Sequence, residues 1–142
     1  MHIHISIFPI FAAQNNKKKM EITTSHRAIG FQGEEQAVRY LIEHNYHILA
    51  RNWQYGHLEV DIIAENEEFI VFCEVKTRKN NRYGEPESFV GTTKQRHLFA
   101  AADHYVRHNG IRKEARFDIL SVTSGPDGVE IKHLPDAFAP HW

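Results

Sequence analysis

Several things are scarce in this chain. It has one cysteine in 142 residues, so the core has to hold without staples, and Cys73 reads as a small buried residue in a reducing, cytoplasmic setting. No apolar run is long enough to span a membrane. The stretch Met1 to Ala13 is apolar but carries Pro9, and Lys17-Lys18-Lys19 follows it instead of preceding it. That order is the reverse of a secretion signal. There is no phosphate-cradling glycine loop, no repeat and no His-Glu-x-x-His. Eleven histidines include one helical i, i+4 pair, His104 and His108, but no second cysteine accompanies them. Surface histidines, not a zinc site, are the ordinary explanation. A basic excess is also missing: 17 Lys and Arg stand against 18 Asp and Glu, for a net charge of −1, and three of the lysines lie in the leader. This counts against a protein that binds nucleic acid by bulk charge.

What remains is one domain with 42% hydrophobic residues, large enough for a single core. Residues 1–22 read as a disordered leader or a misassigned start with Met20 as a second initiator, residues 23–138 as the domain, and residues 139–142 as a tail.

The informative segment runs from Gly56 to Arg78. Strand alternation in Leu58-Glu59-Val60-Asp61-Ile62-Ile63 sends Glu59 and Asp61 to one side and Leu58, Val60 and Ile62 to the other. The run from Phe69 to Lys76 is β-branched and aromatic, and puts Glu74 and Lys76 on a common side. Glu65 to Glu68 is the expected turn. Pairing Ala64 with Phe69 sets Glu59 opposite Glu74, with Asp61 diagonal to it at roughly 7–8 Å. Converging carboxylates repel unless a cation neutralises them, and hard oxygen ligands suit Mg²⁺ or Mn²⁺. Lys76, one pleat beyond Glu74, would place a water or stabilise charge on a phosphate. The competing reading is a solvated face of an antiparallel hairpin.

Glu59-x-Asp61 followed by Glu74-Val75-Lys76 resembles the PD-(D/E)XK core of restriction-endonuclease-like nucleases. More closely, the chain resembles the YraN-like family of small bacterial proteins. The matching pieces include Gly33-Glu34, Arg51-Asn52-Trp53, Gly56 to Ala64, Val71 to Arg78, Tyr83-Gly84, Lys94, Phe117-Asp118 and His133 to Phe138, covering roughly residues 26 to 138. His57 departs from the pattern, in which glycine is followed directly by Glu-x-Asp. The resemblance implies Asp61 and Glu74 as metal ligands, Lys76 as the catalytic lysine and Glu34 as a helix-borne acid near the metal. It implies no substrate, because the family's function is unsettled.

Elsewhere, Glu34 joins Ala37, Val38 and Leu41 on one stripe of a helix from about Ser25 to His44. Glu34 either points over the sheet toward Asp61 and Glu74 or serves the helix dipole from its first turn. His47 to Trp53 reads as a strand, and Thr92 to His108 as a helix with Lys94 opening its packed face. Lys94 either reaches a phosphate or snorkels at the helix edge. Phe117 to Val122 and Val129 to Lys132 are further strands around the turn Ser124 to Gly128. Asp118 is left outside the metal site. The expected architecture is α/β, a mixed sheet of about five strands flanked by helices.

Arg78, Lys79 and Arg82, with Asn80, Asn81 and Tyr83, form a basic loop suited to backbone phosphates; a solvated loop is the alternative. The expectation is a protein that binds DNA, branched or single-stranded forms included, and hydrolyses phosphodiesters with Mg²⁺ or Mn²⁺. Asp61, Glu74 and the Val75 backbone carbonyl would hold the metal, Lys76 would place the water, Glu34 would assist, and Arg78, Lys79, Arg82 and Lys94 would contact DNA. The alternatives are a non-catalytic nucleic-acid-binding or adaptor module on the same fold, and a protein-interaction domain with no nucleic-acid role.

Overall fold

The computed structural model describes residues 26–79 and 88–140, with side chains from residue 33 onward. The leader of residues 1–22, and Arg82 with Asn80, Asn81 and Tyr83 of the basic loop, lie outside the described residues.

The element order is α1 (His26–Glu43), β1 (His47–Tyr55), β2 (Leu58–Glu65), β3 (Phe69–Lys79), α2 (Thr92–His108), β4 (Glu114–Gly125) and β5 (Gly128–Leu134). The strands form one sheet in the order β1-β2-β3-β4-β5. All neighbours are antiparallel except β3 and β4, which run parallel. A parallel pair needs a long crossover, and α2 lies in it. This is the expected restriction-endonuclease-like architecture, a mixed five-stranded sheet between helices.

Each helix covers one face. Ala37, Val38 and Leu41 of α1 pack with Ile62, Val71 and Cys73, while Leu98, Ala101 and Ala102 of α2 pack with Val60, Ile63 and Phe72. β3 is buried on both sides through Ile70-Val71-Phe72-Cys73, as a central strand in a doubly covered sheet should be. Cys73 is fully buried, as expected. Both helices stop in the same way. Asn45 (φ 67) and Gly110 (φ 60) take left-handed backbone just past each end, and the next residues, Tyr46 and Ile111, return N–H bonds to Leu41 and Val106.

Two expectations about the hairpin are corrected. Simple alternation put Val60 and Ile62 on one side, yet Val60 packs under α2 and Ile62 under α1. The pleat inverts between the pairs Arg51–Ile62 and Trp53–Val60. Between those pairs lie Asn52, with φ 49, and Asp61, and Asn tolerates left-handed backbone better than most residues. The register also differs: Ala64 pairs with Val71, not Phe69. The cause is the turn, where Asn66 Oδ1 accepts the N–H groups of Glu68 and Phe69 at 2.9 and 2.8 Å, and the Asn66 N–H donates to the Phe69 carbonyl at 3.0 Å. A two-residue slip preserves faces. It replaces Glu59 by Asp61 as the acid across from Glu74.

Candidate active site

Backbone pairing of β2 with β3 runs from Glu65–Ile70 to Ile62–Cys73. One residue further, the Asp61 side chain takes over: Oδ2 accepts the Val75 N–H at 2.8 Å. The acid therefore closes the ladder and is held rigidly against β3. Glu74 stands beside it, its carboxyl bonded to Asp61. Burial first, then the charge of Asp61 and the hydrogen bond to it, push the Glu74 carboxyl up to about 8, while the Lys94 and Lys76 ammonium groups pull it down. Burial and the neighbouring charge thus favour the protonated Glu74 carboxyl, which donates to Asp61.

The expected lysines are both at this face. β3 and β4 stay in unbroken register from Phe69–Glu114 to Lys79–Ser124, so Glu74, Lys76 and Arg78 alternate onto one side of β3. Lys94 Nζ, in the first turn of α2, lies 3.8 Å from Glu74 Oε1. Lys76 Nζ sits 5.6 Å from the centroid of the half-exposed Phe89 ring, a cation–π distance that holds its direction. Lys79 is exposed at the end of β3.

Glu34 comes within electrostatic reach of Asp61 from α1. Its carboxyl is raised by burial first and by the charge of Asp61 next, while a hydrogen bond from the Asn52 side chain and the charge of Arg51 oppose the rise. Gly33 makes the approach possible, because a Cβ there would collide with the Thr77 hydroxyl on β3. Arg51 Nη1 fixes the next residue, Glu35, at 2.8 Å. Asn52 and Arg51 thus position Glu34, a role sequence reasoning did not assign them; the Arg51-Asn52-Trp53 run was the only available signal. Glu59 is exposed and pairs across from Gln54, and its charge adds to the rise of the Glu34 carboxyl.

Asp118, kept out of the metal site at the sequence level, is fully buried in a network of its own. It accepts from Arg116 at 2.9 and 2.7 Å, from the Asp136 N–H at 3.0 Å, and meets His133 Nε2 at 2.6 Å. Arg116 also donates to the Tyr46 hydroxyl at 2.7 Å. This network ties β4, β5 and the end of α1 together.

Among the described residues no group of three or more His, Cys, Asp or Glu is arranged to hold a metal ion. Asp61 and Glu74 offer two hard oxygen donors that already compete for a positive charge. That donor set fits Mg²⁺ or Mn²⁺, which need only one or two carboxylates when water and phosphate complete the shell. No helix among the described residues is long and apolar enough to cross a membrane.

Comparison with known proteins gives a consistent answer. A UPF0102 protein of Phocaeicola vulgatus is 41% identical over 115 residues, 81% of this chain and 95% of its own. One of Parabacteroides distasonis is 43% identical over 110 residues, covering 78% and 91%, and one of Bacteroides thetaiotaomicron is 42% identical over 115 residues, covering 81% and 95%. The model of the uncharacterised protein family UPF0102 matches residues 33–122, from the helix glycine beside Glu34 to the end of the buried run of β4. The chain belongs to that family, UPF0102, to which the YraN-like resemblance pointed.

Proposed function

We propose that this protein is a metal-dependent nuclease that binds DNA and hydrolyses phosphodiester bonds. The observation that carries the reading is the Asp61–Glu74 pair: two adjoining carboxyls, one raised to about 8, with Lys94 and Lys76 on the same side. Strongly perturbed carboxyls cluster at functional sites, and a bound cation would relieve the repulsion between this pair.

A divalent cation held by Asp61, Glu74 and the Val75 carbonyl would neutralise the pair and the phosphate oxygens brought to it. The chain's own groups do the rest. Lys76 orients the attacking water and stabilises charge developing on the phosphate. Glu34, with its raised carboxyl, assists from α1 in accepting the water's proton. Water oxygen bonds to phosphorus, one P–O ester bond breaks, and the leaving oxygen takes a proton to end as a hydroxyl. Lys94 passes from Glu74 to the phosphate, and Arg78, Lys79 and Arg82 hold the backbone beyond it.

The test is cleavage of labelled duplex, single-stranded, flap and four-way-junction DNA with Mg²⁺ or Mn²⁺, comparing wild type with Asp61→Asn and Lys76→Ala. Asparagine keeps an acceptor for the Val75 N–H, so folding is preserved. Both variants are expected to lose about 10²-fold or more in rate. A second reading, a non-catalytic nucleic-acid-binding or adaptor module, draws support from the lack of a third ligating side chain among the described residues. It predicts metal-independent binding and no cutting of any substrate.

A further inference from the structure

We infer that the cleft between the β1–β2 hairpin and the C-terminal half of α2 is a stacking subsite for an unpaired nucleobase of single-stranded DNA. The inference rests on the phosphodiester reading of Asp61 and Glu74 and names its substrate class. The cleft has a volume of about 460 Å³ and is lined by Trp53, Gln54, Tyr55, His104, Tyr105 and His108, among others.

On its wall Tyr55, His104 and His108 form a run of nearly parallel rings, with Trp53 tilted by 37° to His104. Trp53 and Tyr55 are inclined by 19° at 6.4 Å between centroids, Tyr55 and His104 by 19° at 3.6 Å, and His104 and His108 by 11° at 5.7 Å. In the core Trp53 meets Tyr105 edge to face at 83°, and Phe72–Phe117 and Phe117–Phe138 are stacked at 28° and 26° within the same cluster. Trp53 and Tyr105 pack against the core, but Tyr55 does not, and it leaves 53% of its surface in solvent. An exposed planar stack can be lengthened by one more planar ring. A base inside a duplex has both faces covered, so only an unpaired base can join such a stack. Gln54 and Asn109 line the same cleft; Asn109 Nδ2 donates to the Tyr105 carbonyl at 2.9 Å, so the Gln54 amide and the Asn109 side-chain oxygen suit the polar edge of a base.

The cleft is also in line with the carboxylate pair. Lys94, His97, His104 and His108 recur at i, i+3, i+10 and i+14 on α2, beside the fully buried Ala101 that packs against the sheet. The series begins at Lys94 beside Glu74 and passes the His57–His97 ring contact, 5.3 Å between centroids. It reaches His104 about 15 Å from its start. A strand whose phosphate sits at Lys94 would lay its unpaired bases along this track toward Tyr55.

The test uses the full-length protein without divalent metal, so that nothing is cut. Probes are an oligothymidylate of about ten nucleotides and an abasic phosphodiester oligomer of equal length. Affinity is read by anisotropy, and Trp53 fluorescence is followed in a Trp142→Phe background. The oligothymidylate is expected to quench Trp53 and to bind about tenfold more tightly than the abasic oligomer. Tyr55→Ala and His104→Ala should each remove most of that preference, while far-UV circular dichroism shows the fold retained. Equal affinity for the two oligomers, no binding of either, or an undiminished preference in both variants would overturn the inference. Metal-dependent cleavage is scored separately: cutting that needs Asp61 but shows no base preference sinks the subsite alone. Base-selective binding without cutting under either metal sinks the hydrolysis and leaves the subsite standing.

Discussion

Single residues in this protein separate stability from chemistry. Burial alone would raise Asp118, but the bonds from His133, Arg116 and the Asp136 N–H together hold its carboxyl below the usual aspartate value. The folded state thus favours the ionised form, so this stabilisation is present above the unfolded aspartate pKa of about 4 and is lost as pH falls through the folded value. Asp118→Asn should cost about 3 kcal/mol at neutral pH, because it leaves the Arg116 charge half-buried beside a neutral group. Urea melts across the acid range should show a flatter acid limb in the variant; an identical limb would mean other carboxylates govern acid unfolding. Glu74 carries the opposite sign. Its folded value of about 8 lies above the ordinary 4.5, so the metal-free fold loses stability as pH rises between the two. Glu74→Gln should therefore stabilise the metal-free protein by about 1–2 kcal/mol at the upper end of that range while abolishing any cleavage. If denaturation midpoints match wild type at every pH, the strain assigned to the carboxyl pair is absent. Ser121 is buried next to Lys76 in register, and its Oγ has no hydrogen-bond partner among the described residues. Removing that hydroxyl with Ser121→Ala should raise stability by about 1 kcal/mol in the same assay.

Among the elements, the docking of α1 on the sheet decides whether Glu34 meets Asp61. A glycine within a helix costs about 1 kcal/mol relative to alanine, yet Gly33 is where α1 comes closest to β3. Its fit against Thr77 leaves no room for a methyl group. Gly33→Ala should cost about 1–3 kcal/mol despite the better helix propensity, and Thr77→Ala in the same chain should recover much of it, a coupling that a double-mutant cycle measures. Additive effects would show that the helix shifts freely and that its position is not set here. The elements themselves were largely legible: helical spacing predicted α2 as Thr92 to His108, and the apolar runs located β2, β3, β4 and β5, because burial periodicity is a local property of the chain. Pairing was not. The register depends on one Asn66 side chain closing the turn, and the pleat inversion depends on a left-handed Asn52. Alternation counted from Leu58 therefore placed Ile62 on the wrong face, and the assumed Ala64–Phe69 pairing set Glu59 where Asp61 belongs.

For the whole molecule, the small net charge of −1 means that binding has to rely on where the charges are placed. Mn²⁺ added near pH 8 should displace the proton held by the Glu74 carboxyl and raise Tm by about 5 °C or more at concentrations well above Kd. The rise should vanish in Asp61→Asn; an equal rise in that variant would place the ion elsewhere. The sequence alone determined the α/β class, the order of elements, the buried cysteine and the common face of Glu74 and Lys76 on β3, since spacing along a strand and residue chemistry are written in the chain. Tertiary structure decided which acid faces which, that Lys94 meets Glu74, that Arg51 and Asn52 position Glu34, and that Asp118 belongs to a separate buried network. Such contacts join residues 14 apart in Val75–Asp61, 20 apart in Lys94–Glu74 and 70 apart in Arg116–Tyr46. At such separations only the closed sheet and its docked helices bring the partners together.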